Sequence, residues 1–381
     1  MLKREFMARI GIPLLIVVLL LAHLGCGEKE NVYKIGAIIP ITGNEASYGE
    51  RQQQGFEIVL DEINSAGGIN GKKIEILYED SAFQVDKAIT AFNRLKGRVK
   101  IIVGITGSSL AEQVAPLANR AKVVLVSALD SAPVLANAGP YFFSIMPSDK
   151  FSGIYLAEQV LKEGHRKASI LYSTITWSQG MKESTTEGFT KGGGEIIYTD
   201  SFKPEELDFK TLLSKKEIAQ SDVLFLFCEP KQGGQVIRQA REIGVEIPIY
   251  GGDAFSGTEL GEVAGKYSKG VRFVFPRKIE NEILDNFKKR YVEKYPAYVK
   301  EHGPEPDVYT LKSYDAMRLA IHAIQQVGYD AGKLQQFLSQ VKDYQGASAK
   351  ITFDENGIIT SPEFDIYEFD EAGKYTRIPP L

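Results

Sequence analysis

Short runs of apolar residues alternate along the chain with longer segments in which apolar residues recur at helical spacing. This alternation is typical of parallel β-strands connected by helices. The first series of predicted strands covers residues 34–39, 73–78, 100–105 and 122–127. A second series begins near Phe151 and covers 168–172, 195–198, 222–227, 247–250 and 271–275, and strand-like runs return at 349–353 and 363–369. The pattern predicts an α/β fold with two sheets.

The clearest predicted helix covers residues 50–65. One of its faces carries apolar residues at the spacing of a helix, namely Phe56, Val59, Leu60 and Ile63. Ser47 stands three residues before Glu50 and predicts a capping box at the start, and Gly67 predicts the end. A second long helix is predicted over residues 307–328.

The chain is long enough for two domains. Its 381 residues exceed the usual length of a single domain. No Gly/Ser-rich linker or low-complexity segment separates the two series of strands, so we expect ordinary strand-like crossings that can bend.

Composition excludes one class of partner. The sequence is 44% hydrophobic and 25% charged, which is ordinary for a globular protein, and its formal net charge is -4. A nucleic acid requires a basic surface, which this charge balance does not supply. We therefore expect no nucleic-acid partner.

The first 26 residues predict export. Three basic residues (Lys3, Arg4 and Arg9) precede an apolar run over 10–21 that has the length of a signal peptide. The sequence LGCG at 24–27 resembles a bacterial lipobox, in which the thiol of Cys26 would be acylated. His23 occupies a position where a lipobox normally has leucine, so an ordinary signal peptide with an incidental cysteine is the alternative. We expect no disulfide between Cys26 and Cys228, and we expect Cys228 to be a buried small residue.

Enzyme motifs are absent from the sequence. The glycines at 67–71 suggest a phosphate loop, but Lys73 stands where such a loop needs serine or threonine, so we interpret them as a helix end and a turn. The four histidines lack metal-ligand spacing, and no G-x-S-x-G motif occurs. We therefore expect no catalytic residue, no metal and no cofactor.

Several short segments resemble those of a known protein family in their order and spacing. Together they extend over nearly all of the chain after residue 32. They include IGAIIPITG at 35–43, DEINSAGGING at 61–71, VGITGSS at 103–109 and YGGD at 250–253. In these segments the chain resembles the branched-chain amino-acid-binding proteins of ABC importers, which are type I periplasmic binding proteins.

The resemblance implies two doubly wound lobes with parallel sheets, joined by a hinge of three crossings, that close over a ligand in the cleft. We expect residues 32–149 and 277–346 to form the first lobe, and 150–276 and 347–381 to form the second.

The function implied is that of a monomeric solute-binding lipoprotein. It would capture an amino acid or related small solute and present it to the membrane permease subunits of an ABC transporter, held to the membrane by its lipid. A sensory receptor that uses the same fold to signal to a partner protein is the alternative.

Family positions supply the candidate ligand-binding residues. Ser108 follows a strand and opens a helix, where hydroxyl and backbone N–H groups suit a ligand carboxylate. Ser109 is a second candidate, although its spacing to Glu112 also predicts a capping box. Ser131 matches a family hydroxyl that contacts the ligand, and without the family it would be another helix cap.

Three further candidates would complete the site. Asp253 matches an acidic position that pairs with the ligand's ammonium, and its alternative role is to form a turn. Tyr48 and Trp177 match aromatic positions beside the cleft, with Trp177 expected in the loop after the strand at 170–172.

Glu229 departs from the family pattern, which has an aromatic residue here. A carboxylate is a poor wall for an apolar side chain, because burying it without a partner is costly. Either the ligand has a polar or cationic side chain, or Glu229 points to solvent.

Overall fold

The computed structural model describes residues 32–360 and 363–379. The predicted signal peptide over 1–26 and the predicted lipidation site at Cys26 lie outside these residues. Within them, every helix is too short or too polar to span a lipid bilayer.

Strands and helices alternate along the described chain. The strands are β1 (Val32–Ile39), β2 (Lys73–Asp80), β3 (Ile101–Gly104), β4 (Val124–Ser127), β5 (Phe142–Ser144), β6 (Lys167–Ser173), β7 (Glu195–Phe202), β8 (Val223–Phe227), β9 (Ile249–Gly251), β10 (Arg272–Pro276), β11 (Tyr344–Gln345), β12 (Lys350–Ile351), β13 (Phe364–Phe369) and β14 (Tyr375–Ile378).

The helices are α1 (Ala46–Ser65), α2 (Val85–Leu95), α3 (Ser108–Ala121), α4 (Asp149–Lys162), α5 (Thr176–Lys191), α6 (Lys210–Leu213), α7 (Lys216–Ala219), α8 (Pro230–Glu242), α9 (Thr258–Ala264), α10 (Glu282–Lys294), α11 (Pro296–His302), α12 (Val308–Val327) and α13 (Ala331–Leu338). Short 3-10 helices occur at Pro133–Asn137, Asp253–Ser256 and Gly265–Ser268.

The first sheet is entirely parallel, in the order β2-β1-β3-β4-β5. All residues of β3 and β4 are buried, as expected for strands covered by helices on both faces. Helices α10, α12 and α13, from much later in the chain, pack their apolar residues into the core of this sheet.

The second sheet repeats this plan and extends it. Five parallel strands run in the order β7-β6-β8-β9-β10, and β13 and β14 continue the sheet beyond β10 in antiparallel pairing. In both sheets the strand order reverses beside the first strand of the lobe, between β1 and β3 and between β6 and β8. Ligands bind in α/β proteins at the carboxyl ends of strands where the order reverses.

Helix α1 begins earlier than predicted, at Ala46, and Glu45 at its start forms no side-chain cap. The predicted capping box between Ser47 and Glu50 is wrong. Ser47 lies inside the first turn, and its hydroxyl bonds instead to Glu259 of the second lobe. The predicted end near Gly67 is confirmed, since α1 stops at Ser65.

The last segment of the chain joins the second sheet later than predicted. We expected residues 347–381 to belong to the second lobe, but Ala347, Ile351, Phe353 and Ile359 are buried in the core of the first sheet. Asp315 on α12 holds this segment, because its carboxylate accepts hydrogen bonds from the backbone N–H groups of Ala347 and Ser348, each at 2.7 Å. We propose that the third crossing lies after Thr360.

Gly55 permits the close packing of α1 against α12. A Cβ atom at this position would lie 2.5 Å from the carbonyl oxygen of Thr310 and 2.7 Å from the backbone nitrogen of Tyr314. Gly332, also in a helix, has no atom closer than 3.5 Å to the same point. The two glycines therefore form a matched pair.

We expect Gly55→Ala to lower the free energy of unfolding by about 1–3 kcal/mol, because the helices must move apart to admit the methyl group. Gly332→Ala should leave it unchanged or raise it by up to about 1 kcal/mol, the helix-propensity gain of alanine. Urea unfolding of both variants measures the difference. A gain in stability from Gly55→Ala would contradict the packing described.

Candidate ligand-binding site

A cavity lies between the carboxyl ends of the two sheets. It contains about 520 Å³ of space that protein atoms do not fill, part of it open to solvent. Both lobes contribute to its wall, which comprises Tyr48, Phe83, Thr106, Gly107, Ser108, Ser109, Leu110, Leu129, Asp130, Ile175, Trp177, Glu229, Asp253, Ala254 and Tyr309.

The two reversals of strand order place the lining residues. Tyr48 lies in the first turn of α1 after β1, and Ser108 opens α3 after β3. In the second lobe, Trp177 follows β6 and Glu229 follows β8. Trp177 lies in the first turn of α5, so its predicted position in a loop is wrong. Each lobe thus supplies the start of two helices to the cavity.

The backbone is strained where β3 enters the cavity. Ile105 has a φ of 59°, in the left-handed region that a β-branched residue rarely adopts. Phe83, on the loop beside it, has a φ of 58°. Such conformations cost about 1–3 kcal/mol each and cluster at functional sites. The strain directs Thr106 and Ser108 toward the cavity.

Ser108 lies at the start of α3, which no side chain caps. Its hydroxyl oxygen accepts a hydrogen bond from the backbone N–H of Ala132 at 3.3 Å. The free N–H groups of a helix start favour an anion, so this side of the cavity suits a carboxylate.

Asp253 faces the cavity from the second lobe and is 7% exposed. No described residue forms a hydrogen bond with its Oδ1 atom. Burial raises the pKa of Asp253 to about 7, against the opposing effect of hydrogen bonds from the Trp177 indole and nearby backbone amides. An unpartnered buried oxygen of this kind requires a donor or cation from outside.

Ser131 is the one predicted site residue that does not line the cavity. Its hydroxyl donates a hydrogen bond to Asp149 at 2.7 Å. Burial, together with the neighbouring charge of Asp253, raises the pKa of Asp149 well above its ordinary value. Ser131 therefore binds Asp149, an acid close enough to Asp253 for the two charges to interact.

Glu229 lines the cavity and is half-buried, so its side chain faces the cleft, part of which is open to solvent. The hydroxyl of Tyr48 donates a hydrogen bond to its Oε2 atom at 2.9 Å, across the two lobes. Burial is the main cause that raises the pKa of Glu229 to about 8, and the charges of Glu45, Asp253 and Glu259 raise it further.

Ser109 connects the two lobes. Its hydroxyl accepts a hydrogen bond from the backbone N–H of Thr176 at 3.0 Å, and the Thr176 hydroxyl donates to Glu112 at 3.0 Å. The predicted capping box between Ser109 and Glu112 is wrong, because both side chains bind the start of α5 in the opposite lobe.

Arg51 forms a second connection between the lobes. Its guanidinium lies 3.1 Å from Glu259 of the second lobe and 2.7 Å from Asp307 of the first. The arginine is 3% exposed, so its charge is neutralised by these two carboxylates and not by solvent.

Four contributors to the site escaped sequence reasoning: Phe83, Asp130, Asp149 and Tyr309. Asp130 follows β4 directly, and its position at a strand's carboxyl end was a usable signal. Its carboxylate accepts hydrogen bonds from the Gly107 N–H and the Ser127 hydroxyl, both at 2.8 Å. Tyr309 arrives from α12, far along the chain, and no local pattern marks it.

Across residues 32–360 and 363–379, no three histidine, cysteine, aspartate or glutamate side chains are grouped so that they could hold a metal ion. Cys228 is a buried free thiol.

A family model described as periplasmic binding protein matches residues 32–374, which include both sheets and the whole cavity. The chain belongs to this family. Its members bind solutes, and the two-lobed fold with a ligand cleft is the architecture described above.

Individual relatives extend over almost the same length. The Leu/Ile/Val-binding protein homolog 3 of Brucella melitensis is 25% identical over 343 residues, covering 89% of this chain and 91% of the relative. An amino acid binding protein of Pseudomonas aeruginosa is 29% identical over 357 residues, covering 91% and 92%.

Solved structures show the same architecture. The branched-chain amino acid transporter substrate-binding protein LivJ of Streptococcus pneumoniae, solved with isoleucine, is 26% identical with a TM-score of 0.80, covering 91% of this chain and 99% of that one. The leucine-binding protein LivK of Thermotoga maritima has a TM-score of 0.83 at 23% identity, covering 91% and 98%.

The raised pKa values of Glu229 and Asp253 predict how the stability of this binding protein depends on pH. Both acids ionise more readily in the unfolded chain, with ordinary values of 4.5 and 3.8, than in the fold. The stabilisation from their neutral forms is complete below about pH 4 and is lost as the pH rises to about 8.

We therefore expect the melting temperature of the ligand-free protein to fall between pH 5 and pH 9, and Glu229→Gln to reduce that fall by a few degrees. Differential scanning calorimetry measures it. Glu242→Gln is the control, because Glu242 lies on the same helix and is exposed, paired only with Arg238. Parallel pH profiles for Glu229→Gln and the wild type would contradict the assignment.

Proposed function

We propose that this protein is the exported solute-binding component of an ABC importer and captures an amino acid or related small solute between its lobes. The observation that carries the proposal is the buried, unpartnered Oδ1 atom of Asp253 in a cavity whose opposite wall is the uncapped start of α3 at Ser108. An acid on one lobe and helix-start donors on the other complement the ammonium and carboxylate of a zwitterion.

The named relatives support an amino-acid ligand and an importer. The Brucella relative is named for leucine, isoleucine and valine, and the Streptococcus structure contains isoleucine. These names favour delivery to permease subunits over the alternative of a sensory receptor.

Closure of the lobes is part of the proposed mechanism. The closed arrangement aligns Ser109 with Thr176 and Arg51 with Glu259. A ligand shifts the open and closed populations only if it binds the closed form more tightly, so contacts with both lobes are required.

Ser131 acts in this proposal as a positioning residue. The hydroxyl groups of Ser131 and Ser152 both donate hydrogen bonds to the carboxylate of Asp149, at 2.7 and 3.0 Å. Together these hydrogen bonds fix the position of Asp149, whose charge interacts with that of Asp253.

We expect Asp253→Asn to weaken binding of any amino-acid ligand by about 30-fold or more, since loss of a buried charge partner costs roughly 2–5 kcal/mol. Isothermal titration against the common amino acids measures the affinity. Asp285→Asn, on the exposed surface of α10, should leave it unchanged. Equal affinity in wild type and Asp253→Asn would refute the site.

We propose further that Cys26 carries a lipid that holds the protein at the membrane and that the mature protein is a monomer. The sequence motif at 24–27 supports lipidation of Cys26, and membership of the periplasmic binding protein family supports export beyond the cytoplasm.

Cys26→Ser should move the protein from the membrane fraction to the soluble fraction and abolish incorporation of labelled palmitate, because serine lacks the thiol that is acylated. Fractionation of cells that express each form measures both effects. Cys228→Ser is the control, since that thiol is buried in the second lobe. Membrane retention of Cys26→Ser would show that Cys26 is not the anchor.

A further inference from the structure

The carboxylate of Glu229 has no positively charged partner among the described residues. Its one hydrogen-bond donor there is the Tyr48 hydroxyl, which contacts Oε2. Glu229 precedes α8, but its side chain does not cap that helix. The local structure therefore gives no reason for a glutamate at this position.

The charges that line the cavity do not balance. Three carboxyl groups line it, those of Asp130, Glu229 and Asp253, and the wall includes no lysine, arginine or histidine. Asp130 is satisfied by the Gly107 N–H and the Ser127 hydroxyl. Asp253 is assigned to the ligand's ammonium. Glu229 remains without a counter-charge, and the ligand's own carboxylate adds a further negative charge.

Tyr48, which contacts Glu229, belongs to a cluster of three aromatic rings. The ring of Tyr48 lies 6.3 Å from that of Phe83 and 5.3 Å from that of Tyr309, measured between centroids. All three line the cavity. A carboxylate among aromatic rings is a favourable environment for an organic cation, which is attracted to both.

The nearest protein cation does not fill this role. The guanidinium carbon of Arg51 lies 6.0 Å from the centroid of the Tyr48 ring. Its Nη2 and Nε atoms are paired with Glu259 and Asp307, so its charge is already balanced by carboxylates outside the cavity.

We propose that the ligand is an amino acid, or a close relative of one, whose side chain ends in an ammonium or guanidinium group held by Glu229 among the rings of Tyr48, Phe83 and Tyr309. The proposal rests on the proposed function, which assigns the zwitterionic end to Ser108 and Asp253. A purely apolar side chain would offer the half-buried carboxyl group neither a positive charge nor a hydrogen-bond donor, and would keep it in its neutral form.

The protonation of Glu229 provides a second signature. With a pKa of about 8, Glu229 is mostly neutral at pH 7 in the ligand-free cleft. A bound cation favours the ionised form, so binding should release a proton. Several titratable side chains shift the pKa of Glu229 or have their own pKa shifted by it: Glu45, Tyr48, Cys228, Asp253, Glu259 and Tyr309. Arg51 and Lys231 in turn lower the pKa of Glu45.

Isothermal titration with matched ligands tests the proposal. L-arginine and L-citrulline share size and shape but differ in charge. L-lysine and L-norleucine also differ in charge and are nearly matched in size. L-leucine is the apolar reference. We expect at least one cationic member to bind at least tenfold more tightly than its neutral counterpart. At pH 7, titrations in buffers of different ionisation enthalpy should show proton release.

Variants separate the charge from the fold. Glu229→Gln should weaken the cationic ligand at least tenfold, change the neutral counterpart less than threefold and reduce proton release to the amount that the neutral counterpart causes. Glu242→Gln should match the wild type. Tyr48→Phe retains the carboxylate and should retain the preference for the cation, which keeps the test valid if Glu229→Gln folds poorly.

The outcomes distinguish the two proposals. If leucine or a neutral counterpart binds as tightly as the cationic ligands, the side-chain assignment fails and the proposed function stands. If none of these amino acids binds, the proposed function fails as well.

Discussion

Burial of the Asp253 carboxylate in a cleft without a protein cation is the constraint on which the site depends. Removing an acid from water is unfavourable unless a donor or a positive charge replaces the lost hydration. Hydrogen bonds from the Trp177 indole and from backbone amides replace part of the hydration that Asp253 loses. The Oδ1 atom of Asp253 is left without a partner among the described residues. Protonation, lobe closure and ligand binding are therefore coupled, because each changes the free energy of the same buried acid.

Topology explains why this acid faces the start of a helix. In both sheets the strand order reverses beside the first strand of the lobe. The segments that line the cleft therefore leave the two sheets at equivalent points. When the lobes meet, the starts of α1 and α3 face the starts of α5 and α8. Polar contacts such as Ser109 with Thr176 then form across the gap. In an open form water would satisfy these groups, so a ligand that contacts both lobes can decide the balance.

The wall of the cavity combines two kinds of chemistry. Ser108 and Asp253 present a helix start and an acid, which suit the zwitterionic end that all amino acids share. Tyr48 and Glu229 present rings and a second acid, which suit a side chain. Relatives named for apolar amino acids share the architecture at about 25% identity, and a shared fold does not by itself determine which side chain the cavity accepts.

Local sequence determined the elements of the fold. Apolar periodicity placed most strands, such as 34–39 within β1 and 222–227 over β8, because burial on both faces leaves a continuous apolar run. Strands β5 and β14 were missed, and β14 is partly exposed and lacks a continuous apolar run. The candidates Ser108, Asp253 and Tyr48 came from matched motifs.

Tertiary structure alone decided the partners of the polar side chains. Ser47 and Ser109 looked like helix caps in their own segments, but both bond to the opposite lobe. Ser131 donates a hydrogen bond to Asp149, and Glu229 faces the cleft, where it accepts one from Tyr48. A hydrogen bond depends on which atoms lie within about 3 Å, and residues far apart in the chain, such as Tyr48 and Glu229, reach that distance only after the lobes have folded and met.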